Sequence, residues 1–244
     1  MTINRTLFPA ALALLPALAN ADTLSVTIGG GLWNDSPSGN FQATSDPVPV
    51  SVTDHLFWGS ENQNYLFLTL EHPVPVLPNL RLRRTNLEHS GSGTASFVFN
   101  GQTYSGPIES KLSVAETDAL LYWELLDNVV SLDLGIDIRN YDIDYRVASS
   151  STTSSDSFTA TLPLLYGMAG FSPVPGLLIG AEASALSMGG NGVVDYALKI
   201  SYTTGFRIGL EGGYRSQSLK LDDVSGYDAD MTFKGVFGGI YLKF

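Results

Sequence analysis

The chain ends in Gly235-Val236-Phe237-Gly238-Gly239-Ile240-Tyr241-Leu242-Lys243-Phe244. In an extended strand, successive side chains point to opposite faces. Every second residue counted back from Phe244 is then apolar or glycine, whereas Tyr241 and Lys243 point to the other side. An apolar stripe that ends on an aromatic residue is typical of a strand with lipid on one face. This stretch therefore predicts a membrane-spanning β-strand.

The composition of the whole chain agrees with that prediction. Charged residues make up 15% of the 244 residues and hydrophobic residues 44%. So few charges without a strongly apolar average are expected when half of the strand positions face lipid. The chain has no cysteine, which excludes a disulfide scaffold, a thiolate metal site and a cysteine nucleophile.

The first 21 residues have the pattern of a secretory signal peptide. Arg5 precedes an apolar run from Leu7 to Leu18, and Ala19-Asn20-Ala21 is a site with small residues at its first and third positions. We expect cleavage after Ala21, which leaves residues 22–244 as a single domain. That domain has no apolar run of the length that a membrane helix needs. A secreted chain without such a helix can span a membrane only as a closed barrel.

The connections between strand-like segments are of two kinds. Some are short and rich in proline or glycine, such as His72–Asn79 and Pro173–Gly176, whereas others are longer and polar, such as Asn34–Ser60. Short turns on one side and long loops on the other are the outer-membrane pattern. We predict an all-β, antiparallel, up-and-down transmembrane β-barrel of ten strands, or eight if two weak segments are loops. Its short turns and both chain ends lie in the periplasm, and its longer loops are extracellular.

One predicted strand changes its pattern along its length. Leu132, Leu134, Ile136 and Ile138 are apolar at even positions, but from Tyr141 the apolar residues are at odd positions. Two explanations fit: a β-bulge near Asn140, or the point at which the strand leaves the membrane.

The strand charges fall almost entirely on the face opposite to the apolar stripe. A charge that faces the bilayer midplane costs about 2–4 kcal/mol for Arg or Lys, whereas mixed charges inside a lumen can pair. Ten strands enclose a narrow lumen, so we predict that these side chains plug it. We place the excess negative charge in loops, at Asp35 and Asp46 among others. The predicted lumen charges are Glu71, Arg81, Arg83, Glu116, Asp118, Glu124, Asp133, Asp137, Arg139, Glu182, Asp195, Lys199, Arg207, Glu211, Arg215 and Lys243.

Candidate catalytic groups are few. His55 follows Asp54, and Glu88-His89-Ser90 contains the residue types of a hydrolase. Adjacent residues on a strand point to opposite faces, however, so the second group could act together only in an irregular loop. We assign no catalytic residue, no metal site and no cofactor. The acidic segment from Asp222 to Asp230 could bind Ca²⁺, but we interpret it as a solvated loop.

Four stretches resemble a known family. They are Glu71–Arg81, Tyr122–Asn128, Leu162–Gly167 and Leu219–Val224. They resemble the small Gram-negative outer-membrane β-barrel family that is named for a Gly-Gly feature. The resemblance covers essentially the whole chain after the signal peptide. It implies a barrel and an outer-membrane location, and it implies no activity and no site residues.

These observations lead to a functional expectation with two rivals. We expect a monomer with a structural or surface-interaction role, in contact with outer-membrane lipid and lipopolysaccharide. The rivals are a narrow channel for small solutes and a hydrolase at the barrel rim. The net charge of −11 argues against a nucleic-acid partner. By resemblance to other outer-membrane proteins, we expect the barrel assembly machinery to recognise Phe244, together with Leu242 and Ile240.

Overall fold

The computed structural model describes residues 24–224 and 226–244, so the predicted signal peptide lies outside the described residues. These residues form β-strands joined by turns and loops. No helix in this part of the chain is long and apolar enough to cross a membrane. The strands are β1 (Ser25–Ala43), β2 (Val50–Ser51), β3 (Glu61–Glu71), β4 (Asn79–Phe99), β5 (Gln102–Asp127), β6 (Val130–Ser149), β7 (Thr153–Phe171), β8 (Leu177–Met188), β9 (Asn191–Thr203), β10 (Ile208–Val224) and β11 (Tyr227–Lys243).

The long strands form one closed antiparallel barrel. From β3 to β11 each strand pairs with the next in sequence, β3 also pairs with β1, and β11 pairs back with β1. Of the eleven strands, the two-residue β2 pairs with β1 at Asn40 and Phe41, which leaves ten in the barrel wall. The prediction of ten strands is therefore confirmed, and the alternative of eight is wrong.

Closure involves the C-terminal residue. The amide of Phe244 donates to the carbonyl of Val26 at 2.8 Å, and the amide of Val26 donates back at 3.2 Å. Glycines let the two strands approach: a Cβ on Gly31 would lie 2.2 Å from the carbonyl oxygen of Gly238. The Gly-Gly pair in the last strand thus belongs to the seam of the barrel.

The outer surface of the periplasmic half is apolar. On β6, Leu134, Ile136 and Ile138 point outward and are exposed, while Asp133 and Asp137 point inward and are buried. This arrangement is the reverse of a water-soluble barrel and fits a bilayer as the surrounding solvent. The chain is an integral outer-membrane β-barrel protein. We call the outward apolar surface the lipid belt; its exposed members include Ile28, Leu32, Leu66, Leu121, Leu134, Ile136, Ile138, Leu165, Ile179, Leu198, Ile200, Leu210, Val236, Ile240 and Leu242.

Above the lipid belt, the arrangement of polar and apolar residues reverses. On β6, Asp142, Asp144 and Arg146 are exposed, whereas Tyr141 and Val147 are buried. Pairing stays regular through Asn140, which faces Thr117 on one side and Thr161 on the other. The bulge predicted near Asn140 is therefore wrong, and the reversal of exposed residues fits the alternative, in which the strand leaves the membrane there. The register shifts of the barrel lie elsewhere, between Glu124 and Leu126 and between Leu221 and Val224.

Candidate functional site

The centre of the lumen is crossed by buried arginines. Arg139 is fully buried, and its guanidinium contacts three carboxylates, those of Asp118 at 2.6 Å, Asp137 at 3.0 Å and Asp195 at 2.9 Å. Arg83 contacts Asp118 from the other side at 2.7 Å. Both arginines are therefore paired with acids, which come from β5, β6 and β9, and pairing is the condition under which buried charges are tolerated.

Arg215 extends this network across the barrel. Its guanidinium contacts Asp195 at 2.7 Å and Glu116 at 2.9 Å, and it stacks on the ring of Trp33 with its carbon 4.6 Å from the ring centroid. Gln217 donates to the other oxygen of Glu116. In the strand order, β5 and β10 lie five steps apart in a barrel of ten, so the contact between Glu116 and Arg215 joins opposite walls.

We define the arginine plug as these charged residues together. It contains three bases and four acids, all on inward positions of β4, β5, β6, β9 and β10. The residues other than Arg83 are less than a tenth exposed, so their side chains have little access to solvent. Its members are Arg83, Glu116, Asp118, Asp137, Arg139, Asp195 and Arg215.

Below the arginine plug lies a polar cavity of about 370 Å³, which we call the periplasmic cavity. Its charges are paired across the wall: Arg81 contacts Glu182 at 3.1 Å, and Lys243 contacts Glu71 at 3.3 Å. Tyr65 donates to Glu211 at 2.7 Å. The cavity ends at the plug, since Arg83 and Arg215 are among its lining residues.

The structure places all but one of the predicted lumen charges inside the barrel. Glu124, Asp133 and Lys199 line the periplasmic cavity with the pairs described above. Arg207 is the exception, because it lies before β10 in an exposed turn, with a positive φ of 65° and its amide bonded to the carbonyl of Thr204. The sequence places Arg207 in the lumen because it continues the spacing of Glu211 and Arg215. That prediction is wrong because β10 begins at Ile208, so Arg207 precedes the strand.

Above the arginine plug, the lumen is filled by apolar packing. Segment 44–60, which we call the inner loop, turns into the barrel mouth and buries Val52, Leu56 and Trp58. It packs against β4 at a glycine: a Cβ on Gly91 would lie 2.1 Å from the carbonyl oxygen of Leu56. The long polar loop predicted over residues 34–60 is therefore wrong. β1 continues to Ala43, and Val50, Val52, Leu56 and Trp58 of the remaining segment belong to the buried core.

Two of the acids that we placed in loops by charge alone, Asp35 and Asp46, are buried. Asp46 accepts hydrogen bonds from the amides of Asn100 at 2.7 Å and Gly101 at 2.9 Å, so it ties the inner loop to the β4–β5 turn. Asp35 lies on β1, fully buried, with its carboxylate 3.0 Å from His89 Nε2. Gln63 donates to the other oxygen of Asp35 at 2.9 Å.

The candidate catalytic histidines have structural partners. His89 is fully buried, and its Nδ1 lies 3.3 Å from the carbonyl oxygen of Gly59. Glu88 and Ser90 flank it on the exposed outer face, as alternation predicts. His55 Nδ1 accepts from the amide of Ser51 at 2.9 Å within the inner loop. Among the described residues, no group of three or more His, Asp or Glu could hold a metal ion.

An apolar cavity of about 100 Å³, which we call the upper cavity, remains above the arginine plug. Trp58 of the inner loop lines one side, and Ile143, Leu219 and Met231 line others. Tyr145 also lines this cavity. Burial is the larger cause that raises the pKa of Tyr145, and the hydrogen bond to Tyr227 is the smaller one, so the phenol stays neutral. The cavity therefore presents mainly hydrocarbon and uncharged rings, and Gln217 and Asp228 are its polar lining residues.

Comparisons with known proteins support the fold. No protein-family model matches the chain, and no curated protein matches it. The outer membrane protease OmpT from Escherichia coli has a similar structure, with a TM-score of 0.53 and 11% identity over 92% of this chain and 98% of that one. Ail, the attachment invasion locus protein of Yersinia pestis, aligns with a TM-score of 0.42 and 11% identity over 91% of this chain and 100% of its own. The likeness to OmpT shows the fold of an outer-membrane barrel.

Proposed function

We propose that this protein is a closed outer-membrane barrel with a structural or surface-interaction role. The observation that carries the proposal is the contact of Arg215 with Glu116 across the lumen at 2.9 Å, beneath the buried inner loop. A charged plug and an apolar core in series leave no continuous water path. The lipid belt faces outer-membrane lipid, and the polar strand ends above it are the surface offered to lipopolysaccharide or other surface partners. We propose that the barrel acts as a monomer.

A narrow solute channel is the first rival, and electrical recording separates it from the proposal. We expect the folded protein to give no steady current in planar bilayers, because ions cannot cross the arginine plug without breaking its pairs. A general porin recorded in the same bilayers controls for insertion and sensitivity. A stable open conductance that scales with the amount of folded protein would overturn the closed-barrel proposal.

We assign no hydrolytic role. His89 is held on both ring nitrogens and is fully buried, which leaves no ring nitrogen facing a substrate at the rim. His55 bonds to its own loop, at Ser51.

The C-terminal residue provides a second testable part of the proposal. Ile240, Leu242 and Phe244 are exposed on the outer face of the closing strand. We expect Phe244→Ser to lower the amount of folded barrel in the outer membrane several-fold, because it removes the terminal aromatic from the closing edge. Leu24→Ser, at an exposed residue on the other side of the seam, is the matched control. Heat-modifiable gel migration measures the folded fraction, and equal amounts for both variants would remove the assembly role of Phe244.

A further inference from the structure

The barrel wall has a gap between β7 and β8. Their pairing ends at Leu165 and Ala185, although β7 continues for twelve residues towards its start at Thr153. Pro163, two residues past the last pair, has no N–H to donate to a neighbouring strand, as is typical of an unpaired edge. We call this gap the lateral window.

The lateral window results from one short hairpin. β8 and β9 have 12 and 13 residues, whereas β7 and β10 on either side have 19 and 17. The β8–β9 turn is fastened to β10, since the amide of Asp222 donates to Asn191 at 2.7 Å. The turn therefore follows β10, and the opening lies on the β7 side.

The lateral window opens into the upper cavity. Phe158 of β7 lies on the inward face and lines that cavity, yet it is 45% exposed. Leu112, also on the cavity wall but behind continuous pairing, is only 5% exposed. On the far side of the opening, Leu219 and Leu221 of β10 line the same cavity. The inward residues on both sides of the window and the space behind it are thus mainly apolar.

The opening begins at the upper edge of the lipid belt. The last outward apolar residue of β6, Ile138, pairs with Pro163, and the next outward pair on these strands is formed by the polar residues Asn140 and Thr161. Just below the gap, Leu165 is 73% exposed on the outer surface. The apolar surface of the belt therefore meets the lower edge of the window, whereas Phe158, which pairs with Ile143, lies above the belt.

We propose that the upper cavity takes the end of a lipid acyl chain, which enters through the lateral window from the adjoining leaflet. A cavity of this polarity excludes water, and an engineered apolar cavity of about 150 Å³ is large enough to bind benzene. The space of about 100 Å³ therefore holds the last few carbons of a chain whose remainder lies in the window and the bilayer. The proposal depends on membrane insertion but not on a closed lumen, so its test is independent of the conductance recording.

Fluorescence quenching by brominated lipid tests this proposal directly. Trp58 lines the upper cavity and is 6% exposed, so it is shielded from lipid unless a chain enters. In a background with Trp33→Phe and Trp123→Phe, which leaves Trp58 as the single tryptophan, we compare vesicles of phospholipid with and without bromine near the ends of the acyl chains. We expect bromine to reduce the emission of Trp58. Unchanged emission would overturn the proposal.

A pair of variants distinguishes quenching by an acyl chain inside the upper cavity from quenching by other routes. Ala229→Phe fills the upper cavity, which Ala229 lines, and should abolish the quenching. Ala115→Phe adds the same ring on β5, at a position paired with Asn86 and Asp142, and should leave the quenching intact. Quenching that persists in folded Ala229→Phe would overturn the proposal. If gel migration shows that Ala229→Phe does not fold, Ile143→Phe fills the same cavity from β6 and is judged by the same result.

Discussion

Replacing Arg139 with alanine is expected to lower the free energy of unfolding by about 3–5 kcal/mol, the usual cost of removing one partner from a buried ion pair. The guanidinium of Arg139 contacts Asp118, Asp137 and Asp195, and all four residues are buried. Without it, only Arg83 and Arg215 remain to neutralise four acids. Urea unfolding of the protein refolded in lipid vesicles measures the change.

The matched control is another arginine on a barrel strand. Arg84 lies on the outer face of β4, exposed, and bonds to Asn86 at 3.1 Å and Thr117 at 2.6 Å. Because these partners keep access to solvent, Arg84→Ala is expected to cost about 1 kcal/mol or less. A cost for Arg139→Ala that is no larger than the cost for Arg84→Ala would mean that the arginine plug does not stabilise the barrel.

Replacing Ile136 with arginine is expected to lower the free energy of unfolding by about 2–4 kcal/mol, because the side chain would enter the bilayer interior. Ile136 is 45% exposed on the outer face of β6, within the lipid belt. The cost arises because the arginine side chain enters the bilayer, not because packing is lost. It should therefore be smaller in a detergent micelle than in a lipid bilayer.

Asp144→Arg is the control on the same strand. Asp144 also points outward, but it lies above the lipid belt and is exposed to water. A change at such a surface position is expected to stay within about 0.5 kcal/mol. Equal costs for Ile136→Arg and Asp144→Arg would contradict the boundary that we place near Asn140.

The sequence predicts most of the barrel because lipid imposes a local rule. Each strand must be apolar on its outer face, and alternation over a few residues, as in Leu132–Ile138, is enough to detect it. The closure of β11 on β1 follows from the same rule, since an open edge in lipid would leave amides unpaired. Neither result required knowledge of distant contacts.

The extracellular half was harder to predict because its interior is formed by distant segments. Segment 34–60 contains many polar residues, and the burial of Leu56 and Trp58 depends on the inner face of β4 and on Ser110, which accepts from Trp58 Nε1 at 2.9 Å. Asp35 is buried because His89 lies opposite, 54 residues away. Alternation assigns a side chain to a face, but it does not identify its partner across the lumen.

Single-cysteine labelling along β6 tests the central claim most directly: the lumen is closed by a polar interior within the membrane and by an apolar interior above it. The native chain has no cysteine, so each substitution gives one reactive thiol. With a water-soluble maleimide on intact vesicles, we expect Asp142→Cys and Asp144→Cys to react, Ile136→Cys to be protected by lipid, and Tyr141→Cys and Ile143→Cys to react only after unfolding. Reaction at positions 141 and 143 with protection at 142 and 144 would contradict the account, because it would place the apolar face of the upper strand outside the barrel.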